Sequence, residues 1–142
     1  MSRFKFRLQR VLDHREIIQE KVKNEYLEAL KKVNEKEAHL ESMTQAILTS
    51  RENVFRSSSP DSHVQTHEFI QGQQIKIQRE KLELRTLRMD LEEKHERYIQ
   101  AFRDVKILDS LKERKKGEHK REALKDEQKV YDDNTLMRFK RK

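Results

Sequence analysis

The chain has 142 residues, 33% hydrophobic and 42% charged, with two Gly, one Pro and no Cys. So little apolar matter cannot fill a thick core, which leaves long helices that each bury a stripe, and without Cys there are no disulfides or thiolate metal sites. The formal charge of +7 suits an acidic protein surface, an anionic membrane or nucleic acid without choosing among them.

No run of about 18 apolar residues is present to span a bilayer, and the first residues lack the apolar core of a secretory signal, so a soluble cytoplasmic protein is expected. The charge is uneven. Residues 1–32 hold nine Lys/Arg against five Asp/Glu, residues 110–142 hold twelve against seven, and the middle is slightly acidic.

In chain order, Phe4, Leu8, Val11, Ile18 and Val22 form a heptad-like series interrupted at Arg15. No helix breaker precedes residue 56, so a first helix is expected over about 4–56. Val22 to Val33 spans eleven residues, a step expected to straighten a supercoil locally. Val33, Leu40, Ile47 and Val54 then recur at sevens, and Glu37, Thr44 and Arg51 read as polar intervening positions of a weakly packed seam.

Arg56-Ser57-Ser58-Ser59-Pro60-Asp61-Ser62 is the clear breaker. It predicts a turn over 57–62, with Ser62 and Gln65 as a capping box opening a second helix over about 63–139. In that helix Ile70, Ile77, Leu84, Leu91, Tyr98 and Val105 recur at sevens, with Leu87, Ala101 and Leu108 between them. Reversal at the turn sets Val54 against Ile70, Ile47 against Ile77, Leu40 against Leu84, Val33 against Leu91, Tyr26 against Tyr98 and Val22 against Phe102.

Every rung thus finds an apolar partner, good to about one helical turn. The expected fold is all-α, two long helices forming an antiparallel coiled-coil hairpin, a single domain over 1–142 that is a monomer when free. Beyond Leu108 and Leu111 the stretch 112–122 has no apolar residue, and Phe4 would lie opposite Lys120. Residues 121–142 are then an unpaired overhang, in which Leu124, Val130, Tyr131, Leu136, Met137 and Phe139 have no internal surface to meet. Gly117 weakens the helix just before it by about 1 kcal/mol.

No phosphate loop, metalloprotease helix or nucleophile set occurs, so neither enzymatic activity nor a cofactor is expected. His63 and His67, four apart, read as solvated groups at a helix start, because a third metal ligand is lacking. Ile75, Leu82 and Met89 form a second series at sevens, either a flank of a broad seam or an exposed docking strip near the turn. The basic ends lack a continuous acid-free face, so nucleic-acid binding is not expected, whereas an acidic protein lumen suits them.

The opening Phe4-Lys5-Phe6-Arg7-Leu8-Gln9-Arg10-Val11-Leu12, followed by Arg15-Glu16 and a charged helix, resembles the start of the flagellar export protein FliJ family. Fainter likenesses lie at Phe69-Ile70 and at Glu127-Gln128-Lys129. The resemblance implies a non-enzymatic component of flagellar type III export, shaped like the central stalk of a rotary ATPase and peripheral to the inner-membrane export apparatus. It implies that the paired termini enter the hexameric ring of the export ATPase FliI and promote its assembly, and that the protein contacts the export-gate protein FlhA and export chaperones.

On that resemblance the expected ring contacts are Phe4, Phe6, Leu8, Leu12, Leu124, Tyr131, Leu136 and Phe139. The expected gate contacts are Phe69, Ile75, Leu82 and Met89; the apolar position the family pattern has four residues after Phe69 is Gln73 here. A homo-oligomeric scaffold or chaperone without ATPase contact, and a stalk protein of a virulence secretion system, are the alternatives.

Overall fold

The fold is an all-α hairpin of two long helices, α1 (Gln9–Arg56, 48 residues) and α2 (Pro60–Lys140, 81 residues). It is a computed structural model describing residues 3–57 and 59–140. Ser58 of the serine run and Arg141 and Lys142 of the overhang lie outside the described residues.

Two boundaries differ from the sequence reading, the start of α1 and the start of α2. Helix α1 starts at Gln9, not at Phe4: the Gln9 amide donates to the Phe6 carbonyl at 3.1 Å and the Leu12 amide to the Leu8 carbonyl at 2.9 Å. The physical reason is the alternation of Phe4, Phe6 and Leu8, a period of two that an extended segment can lay on one surface and a helix cannot. Pro60 opens α2 in place of lying inside a turn over 57–62, because a first-turn residue needs no N–H. Ser59, not Ser62, precedes the helix, and its carbonyl accepts the His63 amide at 3.3 Å.

The chain forms two units, residues 21–98 and residues 1–20 with 99–142. In the first, the covered positions of α1 include the regular series Val22, Tyr26, Ala29, Val33, Lys36, Leu40, Met43, Ile47, Ser50, Val54. Those of α2 include the series Ile70, Gln73, Ile77, Glu80, Leu84, Leu87, Leu91, Lys94, Tyr98. Both lists advance by alternating fours and threes, the coiled-coil seam. The positions between the sevens are therefore Lys36, Met43 and Ser50, not Glu37, Thr44 and Arg51. Val22 to Val33 needs no insertion either, since steps of four, three and four carry the stripe from one to the other.

The register is tied by named contacts. Met43, Ile47 and Ile77 form the buried cluster, with Leu40 and Ile70 packed on it, and the rings of Tyr26 and Tyr98 stack with centroids 5.7 Å apart. At the rim Arg88 donates to Glu37 at 2.9 Å. The other unit buries Leu12, Ala101 and Val105, while Phe102, set against Val22 by the sequence reading, is 48% exposed. Ala101, one residue earlier, takes the covered position.

Lys36 brings a charge into the seam. Its side chain, 21% exposed, donates to Glu80 and, at 2.9 Å, to Glu83. The hydrogen bond to Glu80, followed by that to Glu83, holds the Lys36 ammonium above its ordinary value. The same bond from Lys36 holds the Glu80 carboxyl below the usual carboxylate range.

A lowered carboxyl stabilises the fold above its unfolded value and loses that contribution as pH falls through its folded one. A raised ammonium stabilises below its unfolded value and loses the contribution as pH rises through its folded one. Melting of wild type and Glu80→Gln, followed by helical circular dichroism, should therefore differ most near neutral pH and converge only as pH falls through the lowered folded value of Glu80, beneath the ordinary carboxylate range.

Leu12 is 1% exposed and Ile17 68%. Leu12→Ala should cost about 2–4 kcal/mol in urea denaturation, and Ile17→Ala less than about 0.5 kcal/mol.

Candidate functional site

In the unit built from residues 1–20 and 99–142, residues 3–8 form a strap along α2, irregular over 3–6 and closing in a turn at Arg7 and Leu8. Phe4, Phe6 and Leu8 are half-buried while Arg3, Lys5 and Arg7 are exposed. Phe4 lies against His119 with ring centroids 5.6 Å apart and a 46° tilt. Two open grooves border this contact. One, of about 720 Å³, includes Phe6, Leu8, Leu111, Lys115 and Glu122 in its walls. The other, of about 730 Å³, runs along Lys116, Lys120, Ala123, Glu127 and Val130.

Beyond the strap, α2 continues as a helix whose residues 124–140 are all exposed. Leu124, Val130, Tyr131, Leu136, Met137 and Phe139 are 59–82% exposed. This stretch mixes strong helix formers such as Leu, Lys, Glu, Gln and Arg with the weaker run Val130-Tyr131-Asp132-Asp133-Asn134-Thr135, and it is helical throughout. Gly117 sits within α2 at no positive φ, and a Cβ added there would meet nothing within 4 Å.

The eight residues expected to contact an ATPase ring thus fall into separate places. Phe4, Phe6 and Leu8 line the strap, Leu124 and Tyr131 follow it along α2, and Phe139 lies about 30 Å beyond His119 at 1.5 Å per residue. Leu12 is buried in the seam and presents nothing to a partner in this state. Its covered place follows from the heptad stripe, which continues back into the first turns of α1.

In the unit of residues 21–98, Ile75, Leu82 and Met89 are 65–67% exposed. They form an outward strip and do not flank the seam, whose covered positions lie elsewhere on α2. Val64, 59% exposed, extends the strip, since eleven residues are close to three full turns. That spacing is in the sequence, but a search for sevens passes over it. Phe69, 42% exposed, lies roughly 120° round the helix from Ile75 at 100° per residue, so it is not part of the strip. Phe55, at the end of α1, is 93% exposed, and no periodic signal points to it.

The turn is held by side chains. The His63 Nε2–H donates to the Ser57 carbonyl at 3.1 Å, which fixes the proton on Nε2 because a carbonyl only accepts. The Ser59 amide donates to the Ser57 hydroxyl at 3.4 Å. Among the described residues no group of three His, Cys, Asp or Glu is placed to hold a metal ion, and no helix is long and apolar enough to cross a membrane.

With two long helices, a basic aromatic opening and an exposed helical tail in place, the chain matches the family described as Flagellar FliJ protein over residues 4–142. It belongs to the FliJ family. Membership makes it a component of flagellar protein export, in a family of non-enzymatic stalk proteins. No curated protein and no solved structure matches it. The FliJ opening motif therefore coincides with the strap, whose alternation is what lays Phe4, Phe6 and Leu8 on α2.

Phe4→Ala should shift the His119 imidazole resonances in two-dimensional NMR through loss of the ring current, while changing overall helicity by less than about 5%, since helix α1 begins only after the strap.

Proposed function

We propose that this FliJ-family protein acts as a stalk that engages the ring of the export ATPase FliI through the exposed final stretch of α2 and the strap beside it, promotes assembly of that ring, and links it to the export gate and chaperones. The observation that supports this most is the run 124–140, a helix that carries six large apolar side chains and covers none of them. A helix in that condition gains by entering a lumen, where a partner supplies the missing half of its surface.

The strap offers the same partner Arg3, Lys5 and Arg7, outward charges that steer an acidic surface towards it at low salt. On this reading Leu124, Tyr131, Leu136 and Phe139 make the apolar ring contacts, and Phe4, Phe6 and Leu8 hold the basic comb in place beneath. The strip Val64, Ile75, Leu82 and Met89, with Phe69 as a separate point, serves the export-gate protein FlhA, and the protein works in the cytoplasm, peripherally at the membrane-bound apparatus.

Truncation after residue 123 tests the first part. Binding to the purified ATPase should weaken at least tenfold, about 1.4 kcal/mol, while urea melting of the remaining hairpin is unchanged, and unaltered affinity would remove the reading. Ile75→Asp with Leu82→Asp should leave ATPase affinity intact and lower capture of the gate protein's cytoplasmic domain.

A further inference from the structure

We propose that Lys36, Glu80 and Glu83 form a pairing selector, by which α1 accepts its own α2 in one register and rejects both a slipped register and a parallel second copy. Three observations carry it. Lys36 and Glu80 both occupy seam positions, with side chains 21% and 22% exposed. They are hydrogen-bonded to each other, and Glu83 completes the cluster at 2.9 Å. The layers around them are apolar, with Val33, Leu40, Met43, Ile77 and Leu84 covered on either side.

A charge in such a stripe is tolerated where its partner stands opposite and costly elsewhere. Sliding α2 by one heptad sets Glu80 against Met43 or Ala29, so it loses its cation in both directions. Lys36 would then meet Leu87 and Asp90, or Gln73 and Lys76. Two α1 segments paired in parallel would bring Lys36 onto Lys36, and two α2 segments would bring Glu80 onto Glu80 and Lys94 onto Lys94. An apolar layer would hold the helices at least as firmly, but it would accept all these arrangements alike.

The nearby charges do not supply a substitute. His39 and Arg79 act on Glu80 through space only, and the Glu37–Arg88 pair is at the exposed rim, with side chains 45% and 59% exposed. The cluster is thus the one place in the seam of this unit, among the described residues, where the register is written in charge.

The chain has no Cys, so paired cysteines report register directly. Tyr26→Cys with Tyr98→Cys should cross-link, while Tyr26→Cys with Leu91→Cys or with Val105→Cys should not. In a Lys36→Leu, Glu80→Leu background of unchanged helicity, the slipped products should rise several-fold, or sedimentation should show a dimer. Exchanging the charges, Lys36→Glu with Glu80→Lys and Glu83→Lys, should return the single product of the native register and the monomeric mass. If the leucine background keeps one product and one mass, or if the exchanged charges fail to restore them, the selector is wrong and the apolar rungs alone set the pairing.

Discussion

A stripe that covers two positions in seven can be shielded from water only by a second stripe, and α1 runs out first. Its 48 residues face a helix of 81, and the difference is the physical fact on which the rest depends. Where both helices are present, Leu12, Val33, Ile47, Ile77, Leu84 and Val105 are buried. Beyond the strap that precedes α1, the same helix goes on over 124–140 with every residue exposed. Burial of a thin stripe stabilises modestly per turn, about 25 cal/mol per Å² of apolar area, so the seam has no reserve to cover the tail by bending or thickening. The apolar residues of the tail therefore stay uncovered among the described residues.

Inside the seam the economy takes another form. Alternation of fours and threes leaves Lys36, Ser50, Gln73, Glu80 and Lys94 on positions that elsewhere carry Val, Ile or Leu. Among them Lys36 and Glu80 answer each other across the seam, and the Tyr26–Tyr98 stack lies in the same unit as the Met43, Ile47 and Ile77 cluster. Weak packing between such points means that register is held by a few discrete contacts, not by uniform interdigitation. A chain built this way folds to one pairing because the wrong pairings are penalised, and only secondarily because the right one is tightly packed.

The fold was legible because recurrence at sevens on both sides of a Pro-containing serine run has few other solutions. Register followed to within a turn: Phe4 meets His119 where Lys120 was expected, and Tyr26 meets Tyr98 as read. What was missed has local causes. Choosing fours where the helix takes threes put Glu37, Thr44 and Arg51 in place of Lys36, Met43 and Ser50, which hid the Lys36–Glu80 layer. The heptad reading absorbed Phe4 and Leu8 and so overlooked the period of two that makes residues 3–8 a strap. Val64 was lost because its distance from Ile75 is eleven. Phe55 could not be ranked by exposure at all, since an apolar residue off the stripe looks the same in sequence whether a neighbour covers it or not.

The charges of the strap and of the Lys36 cluster respond to salt in opposite senses. In the cluster unlike charges are hydrogen-bonded, so added ions screen an attraction. The strap is different: Arg3, Lys5 and Arg7, with Arg10 just inside α1, run along a stretch of α2 that carries Lys112, Arg114, Lys115, Lys116, Lys120 and Arg121 against only Glu113, Glu118 and Glu122. Phe4, Phe6 and Leu8 must hold like charges close, and screening relieves that repulsion. On the proposed function, an acidic partner surface would do the same work as salt, but locally and with direction. Its approach would draw on the exposed cations and at the same time favour the closed strap, so that order in the strap and affinity for an acidic partner reinforce each other through one electrostatic term.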